Sequence, residues 1–297
     1  FGRRPYSKDL DYIALWFVKG ADYIEGTPAE LAFVTTNSVC QGEHVGLMFP
    51  MIFAKGIEIG YAYTSFKWEN NAKRNAGVTV AVVNLRSARP GQKFIYTDDL
   101  RIAVSNINGY LADGADVVIE RRKVPLGAAR PEMVFGSMPR DSGGLILSPS
   151  ERLQMIDSEP ESAQFIKRYM GSAEAINDGE RYCLWITDLS ASTAKEIPEI
   201  AARLSFVASE RSKSKAGSTA AYAAQPHRFV QISYKPTDSI IVPSVSSARR
   251  AYIPFGYLGP DTVISNAAFA VYDAEPWLFG VLTSAMHMTW VRSVGGQ

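Results

Sequence analysis

The stretch SVSSARRAYIPFGYL, residues 244–258, sets Ser246, Ser247, Arg249 and Arg250 between an apolar strand-like run, SIIVPSV, and an aromatic-proline run. Paired guanidiniums beside hydroxyls suit a phosphate or the edge of a guanine, because the planar fork of an arginine matches both in two-pronged fashion. They are also the ordinary chemistry of a solvated turn, and the stretch by itself leaves both readings open. TTNS, Thr35 to Ser38, ends the β-branched run LAFVTTNSV, so Thr36 and Asn37 fall at the carboxyl end of a strand. Open α/β sheets bind ligands at that end; a polar strand end entering a loop has the same pattern. SFKWENNAKRNAG puts Phe66 and Trp68 ahead of Asn70, Asn71, Lys73, Arg74 and Asn75. Aromatic rings can stack on a base while amides and ammonium groups hold its edges or the backbone. The alternative is an aromatic hairpin packed on its sheet. Near the end, SAMHMTWVRSVGGQ spaces Met288 and Arg292 four apart, and His287 and Trp290 three apart. On a helix these pairs are neighbours, so His287, Thr289 and Arg292 form either a polar face for DNA or the rim of a core helix.

Several enzyme chemistries are missing from the pattern. There is no G-x-S-x-G, no phosphate-binding G-x-x-x-x-G-K-[ST], no H-E-x-x-H, no C-x-x-C and no G-x-G-x-x-G. His44, His227 and His287 lie far apart, so no catalytic residue and no metal set is assigned. Cys40 and Cys183 sit inside strand-like runs and read as buried reduced thiols, which suits a cytoplasmic protein. No run of 18 apolar residues occurs, so no membrane span is expected. The first residues, FGRRPYSKDLDY, carry basic groups without an apolar signal core and without an initial Met, which reads as a fragment. The net charge of +1 hides an asymmetry. Residues 201–254 hold eight Lys or Arg, including Lys215, Arg228 and Lys235, against Glu210 and Asp238, whereas residues 106–200 hold ten against fifteen acids. A local basic zone attracts a polyanion even on a neutral molecule.

The elements that must position these groups follow from periodicity. DYIALWFVKGADYI predicts a helix, LAFVTTNSV a strand, and GEHVGLMFPMIFAKG a helix that Pro50 kinks or delays. GIEIGYAYTSFKW and GVTVAVVNL predict two further strands. Alternating helix and strand implies an α/β unit with a largely parallel sheet. Residues 86–100 are loop-like, with a boundary near 105. Beyond it, residues 115–123 and the runs GGLILS and RYCLWITDL predict short strands, residues 150–170 one acidic helix, and residues 195–214 another helix. Strands are expected near 229–234, 239–245 and 262–272, and 211–226 is the most linker-like segment. The second region is α+β in character.

Strings longer than these motifs carry a resemblance. DYIALWFVKGADYI, AFVTTNSVCQGEHVGLMFP and YTSFKWENNAKRNAGVTVAVV resemble the later half of the methyltransferase domain in the MmeI-type family, long bacterial proteins that fuse DNA cleavage, adenine methylation and target recognition. SNINGYLADGADVVIERRKVPL, PEMVFGSMPRDSGGLILSPSE, ERYCLWITD, VPSVSSARRAYIPFGYL and FGVLTSAMHMTWVRSVGGQ resemble that family's target-recognition domain. The likeness runs nearly end to end, and it implies a partial Rossmann-like methyltransferase sheet over 1–105 followed by an α+β target-recognition domain over 106–297. It implies a parent DNA adenine N6-methyltransferase with restriction activity that uses S-adenosylmethionine. The donor site, the N-P-P-F motif and the nuclease module would precede this chain, so no donor would bind here and the fragment alone would not methylate. Double-stranded DNA is the implied partner. Arg249 and Arg250, supported by Ser246 and Ser247, would contact bases and phosphates; Lys235, Arg228 and Lys215 would position the backbone; His287, Thr289 and Arg292 are further candidates. Thr36, Asn37, Phe66 and Trp68 would line the far wall of the pocket for a flipped adenine. An RNA-binding module on the same half-domain and a small-molecule enzyme with an unrecognised cleft are the rival readings.

Overall fold

The computed structural model describes residues 7–68, 77–120, 122, 124, 127, 131–247 and 250–295. They fall into two compact units, one built from residues 1–126 with 289–297 and the other from 127–288.

The first unit opens with α1 (Ile13–Ile24), whose buried Ala14, Phe17, Val18, Ala21 and Ile24 recur at the helical period and give it one apolar face. Then come β1 (Glu30–Thr36), α2 (Gly42–Phe53), β2 (Ile57–Lys67) and β3 (Thr79–Ser87). The helix α2 runs through Pro50 and buries Val45, Met48, Phe49 and Ile52. The segment that reads as a loop, 86–100, instead carries β4 (Lys93–Thr97), which returns through Asp98 (φ 46°) into β5 (Leu100–Val104). The strand order is β1-β3-β2-β4-β5. Only β2 and β4 pair in parallel; β3 is antiparallel to both β1 and β2. So β1 and β2 do run the same way, joined across α2 as a parallel unit requires, but a hairpin return from β2 fills the gap between them. That insertion makes the sheet mostly antiparallel where helix-strand alternation implies a parallel one.

Alternation along β3 divides its side chains. Ala81, Val83 and Leu85 join the core with α1 and α2, while Val80, Val82, Asn84 and Arg86 face the other way. On that second face, Glu58 receives Arg86 Nε and Lys93 Nζ, each at 2.8 Å. These cations hold the Glu58 carboxyl below its ordinary range against the opposing effect of its burial, the largest single influence. Ile107 and Leu111, past the boundary read near 105, are buried in the same core as the sheet.

The second unit contains two four-stranded sheets. One is ordered β11-β10-β13-β6, from β6 (Met133–Phe135), β10 (Ser239–Pro243), β11 (Gly256–Leu258) and β13 (Ala268–Tyr272), with every pair antiparallel. The other is ordered β12-β8-β9-β7, from β7 (Ile146–Leu147), β8 (Ile166–Met170), β9 (Tyr182–Leu184) and β12 (Thr262–Ile264). Ser137 bridges Ser265 where the two meet, and Gly136 there admits no side chain: a Cβ would fall 2.1 Å from the Ser265 carbonyl oxygen. The expected acidic helix stops early. It is α3 (Pro149–Ser158), ended before Pro160, and its tail IKRYM is the strand β8. Pro198 likewise divides the next helix into α5 (Ala191–Glu196), after the short α4 (Ser172–Asn177), and α6 (Pro198–Ser212). Residues 115–120 and 229–234 form no strand; in the latter, Gln231 makes an isolated bridge to Met138. The linker-like segment is folded, with α7 (Gly217–Ala220) and a 3-10 turn. The chain closes with α8 (Pro276–Leu282) and α9 (Ala285–Val294), and the division between units falls inside α9.

Candidate nucleic-acid interface

In the first unit the register does the assembling. Val80 on β3 pairs with Thr36 on β1 and with Phe66 on β2. Thr36 and Phe66 therefore lie level, on one face, about 9–10 Å apart across two strand spacings. The ladder continues past β2, with Trp68 N–H donating to the Val78 carbonyl at 2.8 Å, so Trp68 follows Phe66 onto the same face. Both rings are about two-fifths exposed, at 38% and 43%. Irregular register between Tyr63 and Phe66 re-aims this end of β2, as bulges beside binding sites commonly do. One row in, Tyr63 stacks on Tyr96 with centroids 4.4 Å apart. Asn37 begins the 3-10 turn after β1, and the Thr36 and Ser38 hydroxyls bond at 2.9 Å. The end of the sheet thus gathers Thr36, Asn37, Phe66 and Trp68, while the Glu58 ion cluster occupies the opposite end. The polar residues Asn70, Asn71, Lys73, Arg74 and Asn75 lie outside the described residues.

In the second unit, β10 is buried along its whole length and ends where the SSARR stretch begins. Its exit is fixed by a serine pair. Ser244 N–H donates to Ser172 Oγ at 3.0 Å, and both hydroxyls reach the Ala267 carbonyl, at 2.5 and 3.0 Å. Beyond that anchor Val245, Ser246 and Ser247 are exposed, and the Arg250 N–H donates back to the Ser247 carbonyl at 3.0 Å. Arg249 lies outside the described residues. Residues 245–247 are thus an exposed segment leaving a buried strand, and binding residues commonly stand on such connections.

The other candidate cations differ in how they are held. Lys235 meets Asp273 at 2.5 Å, and its ammonium together with the Thr237 hydroxyl keeps the Asp273 carboxyl below its ordinary range. Arg228 lies 3.6 Å from Asp188, which also accepts from His227 at 2.8 Å. Lys215 is exposed at the start of the α7 segment. His287 is half-buried, its Nδ1 2.7 Å from the Leu282 carbonyl and its ring against Phe255, so the imidazole serves packing. Thr289 and Arg292 are exposed on α9. Two cations that local pattern did not single out also stand here: Arg140, exposed, and Arg211, fully buried.

A groove of about 760 Å³ lies in this unit, with Phe135, Ile232, Lys235 and Asp273 in its lining. It includes a member of the basic zone, whereas the small-molecule reading needs a closed cleft away from that zone. Cys40 and Cys183 are buried and free, and burial raises both thiols well above their usual range, so neither is a nucleophile at neutral pH. Among the described residues no helix is long and apolar enough to cross a membrane.

The MmeI target recognition domain model matches residues 113–297, and the MmeI DNA-methyltransferase domain model matches residues 2–97. The chain is 43% identical over 298 residues to DNA methyltransferase A of Bacillus subtilis (strain 168), with all of the chain aligned to 34% of that protein. It is also similar to the solved structure of the Type IIL restriction-modification enzyme MmeI in complex with DNA, at 36% identity and a TM-score of 0.81, covering 100% of this chain and 40% of that one. The chain therefore spans between a third and two-fifths of the length of these relatives.

Proposed function

Since the chain belongs to the MmeI target-recognition family, we propose that it reads a sequence in double-stranded DNA as the recognition part of a longer adenine N6-methyltransferase with restriction activity. The observation that carries this reading is the exposed segment 245–247 leaving a wholly buried strand through a hydrogen-bonded anchor. Arg249 and Arg250 supply forks for a guanine edge or a phosphate, and Ser246 and Ser247 add smaller hydrogen-bonding groups. Lys215, Arg228 and Lys235 hold the backbone. Contact with DNA would require Arg228 and Lys235 to exchange a carboxylate for a phosphate, a trade of one surface ion pair for another.

The first unit contributes the wall of a base pocket. An exocyclic amine inside a duplex is not accessible for methyl transfer, so the target adenine must leave the stack. Phe66 and Trp68 offer faces for it, and Thr36 and Asn37 offer polar groups at the same sheet end. These four residues do not make a cradle for S-adenosylmethionine: they include no carboxylate for ribose hydroxyls and no glycine turn. The donor site, with the nuclease, belongs to the part of the polypeptide outside this chain.

Fluorescence anisotropy with duplex DNA and with single-stranded RNA of matched sequence tests this. Duplex DNA is expected to bind more tightly, in a salt-sensitive way, and Arg250→Ala is expected to weaken the preferred duplex by about 5- to 150-fold, the loss of one two-pronged contact. A preference for the single-stranded RNA, whose unstacked bases are what RNA readers recognise, would replace this proposal with the RNA reading.

A further inference from the structure

Arg211 is the largest fully buried side chain in the described molecule, and it pairs with no carboxylate at hydrogen-bonding distance. All of its donors go to main-chain carbonyls: Nε to Arg140, Nη1 to Tyr222 and Gln225, Nη2 to Pro139 and Arg228, at 2.7 to 3.2 Å. One guanidinium thus ties the end of α6 to the segment 222–228 that follows it and to the loop at 139–140, 71 and 72 positions away. Burying a charge is costly unless every donor is met, and here the outcome is a fixed loop at 139–144. That loop holds unusual backbone: Arg140 at φ 46°, Ser142 at φ 52° and Gly143 at φ 91°. Non-glycine residues in the left-handed region persist where the surroundings over-determine them. Asp141 adds to the hold, accepting the Leu145 N–H at 2.6 Å.

What the loop presents is Arg140. Its Nη1 donates to Thr219 Oγ1 at 2.9 Å and Ser218 Oγ at 3.3 Å, and its Nε lies 3.2 Å from Met138 Sδ. Arg203, Lys213, Arg228 and Lys235 each answer a carboxylate. Arg140, by contrast, is exposed, aimed by neutral hydroxyls, and without a carboxylate partner among the described residues. It comes from the acidic stretch of the sequence, yet Arg211 binds its carbonyl and that of Arg228 together. A pre-oriented uncompensated guanidinium beside two hydroxyls is a phosphate-binding arrangement.

We infer that Arg140, steered by Ser218 and Thr219 on the loop pinned by Arg211, is a DNA-backbone phosphate contact separate in the chain from SSARR. This rests on the reading of the chain as a duplex-DNA binder. The test is anisotropy of the whole 297-residue chain with a mixed-sequence duplex, titrated from about 50 to 200 mM salt, a range over which phosphate contacts dominate affinity. Arg140→Gln retains amide donors for the two hydroxyls and removes the charge. It is expected to lower the slope of log affinity against log salt by about 1, with an unchanged ratio between preferred and mixed duplexes, while Arg140→Lys keeps the slope. An unchanged slope in Arg140→Gln would overturn this site and leave the duplex reading standing. No binding by the parent chain at about 50 mM salt would overturn both together.

Discussion

Charged side chains in this molecule differ mainly in what already answers them. Glu151 is answered by three donors. Ser148 N–H donates to it at 2.8 Å, the Ser148 hydroxyl at 2.7 Å and Arg203 Nη2 at 2.7 Å. Together they lower its carboxyl to about 2, led by the backbone donor. The folded value is depressed, so the stabilisation is present above the ordinary carboxylate value of 4.5 and is lost as pH falls from there through about 2. Glu151 is 43% exposed, so solvent screening keeps the effect near ~1 kcal/mol. Glu151→Gln is accordingly expected to unfold at lower urea than the parent at pH 7, with the gap closing as the titration runs down to about 2. The same inspection separates Arg140 from Arg228 and Lys235, and no count of basic residues along the sequence makes that distinction.

At the scale of elements, β10 and its anchor decide how firmly the segment after Ser244, proposed to read DNA, is held. Ser172 is buried and serves both the Ser244 N–H and the Ala267 carbonyl. Ser172→Ala is expected to cost about 1–3 kcal/mol, the penalty for leaving a buried polar group unmet. It should blunt discrimination between duplexes more than it changes the salt slope, which urea denaturation and competition anisotropy can read separately. Most of α1, α2, β1, β2, β3 and β10 was legible from apolar periodicity, because each is long enough for its period to show. What escaped is short or non-local. The strand KFIYT is five residues between turn signals, and IKRYM lies at the far end of an acidic helical pattern that Pro160 has already ended. The placement of β3 between β1 and β2 leaves no trace in helix-strand alternation. Arg140 and Arg211 stand 71 positions apart and are joined by a side chain bonding to a carbonyl, a link no window of sequence contains. Thr36 and Phe66, by contrast, were visible as strand ends, and the register explains why they share a face.

For the whole molecule, separate cores imply separate responses. Ile59 is fully buried in the first unit and Leu145 in the second, each within its own apolar cluster. Ile59→Ala and Leu145→Ala are each expected to cost about 2–5 kcal/mol. In calorimetry each should lower a different transition; equal displacement of one shared transition would show that the units unfold together. The insertion of β3 has a consequence for how such a chain comes into being. Synthesis releases β1 first, β2 next and β3 last, yet β3 lies between the other two. Until residue 87 has emerged, β1 and β2 both wait with open edges toward a neighbour not yet made, and an apolar strand in that state is a place for chains to stick to one another. The order of emergence, as much as the finished register, is therefore part of what this unit has to survive.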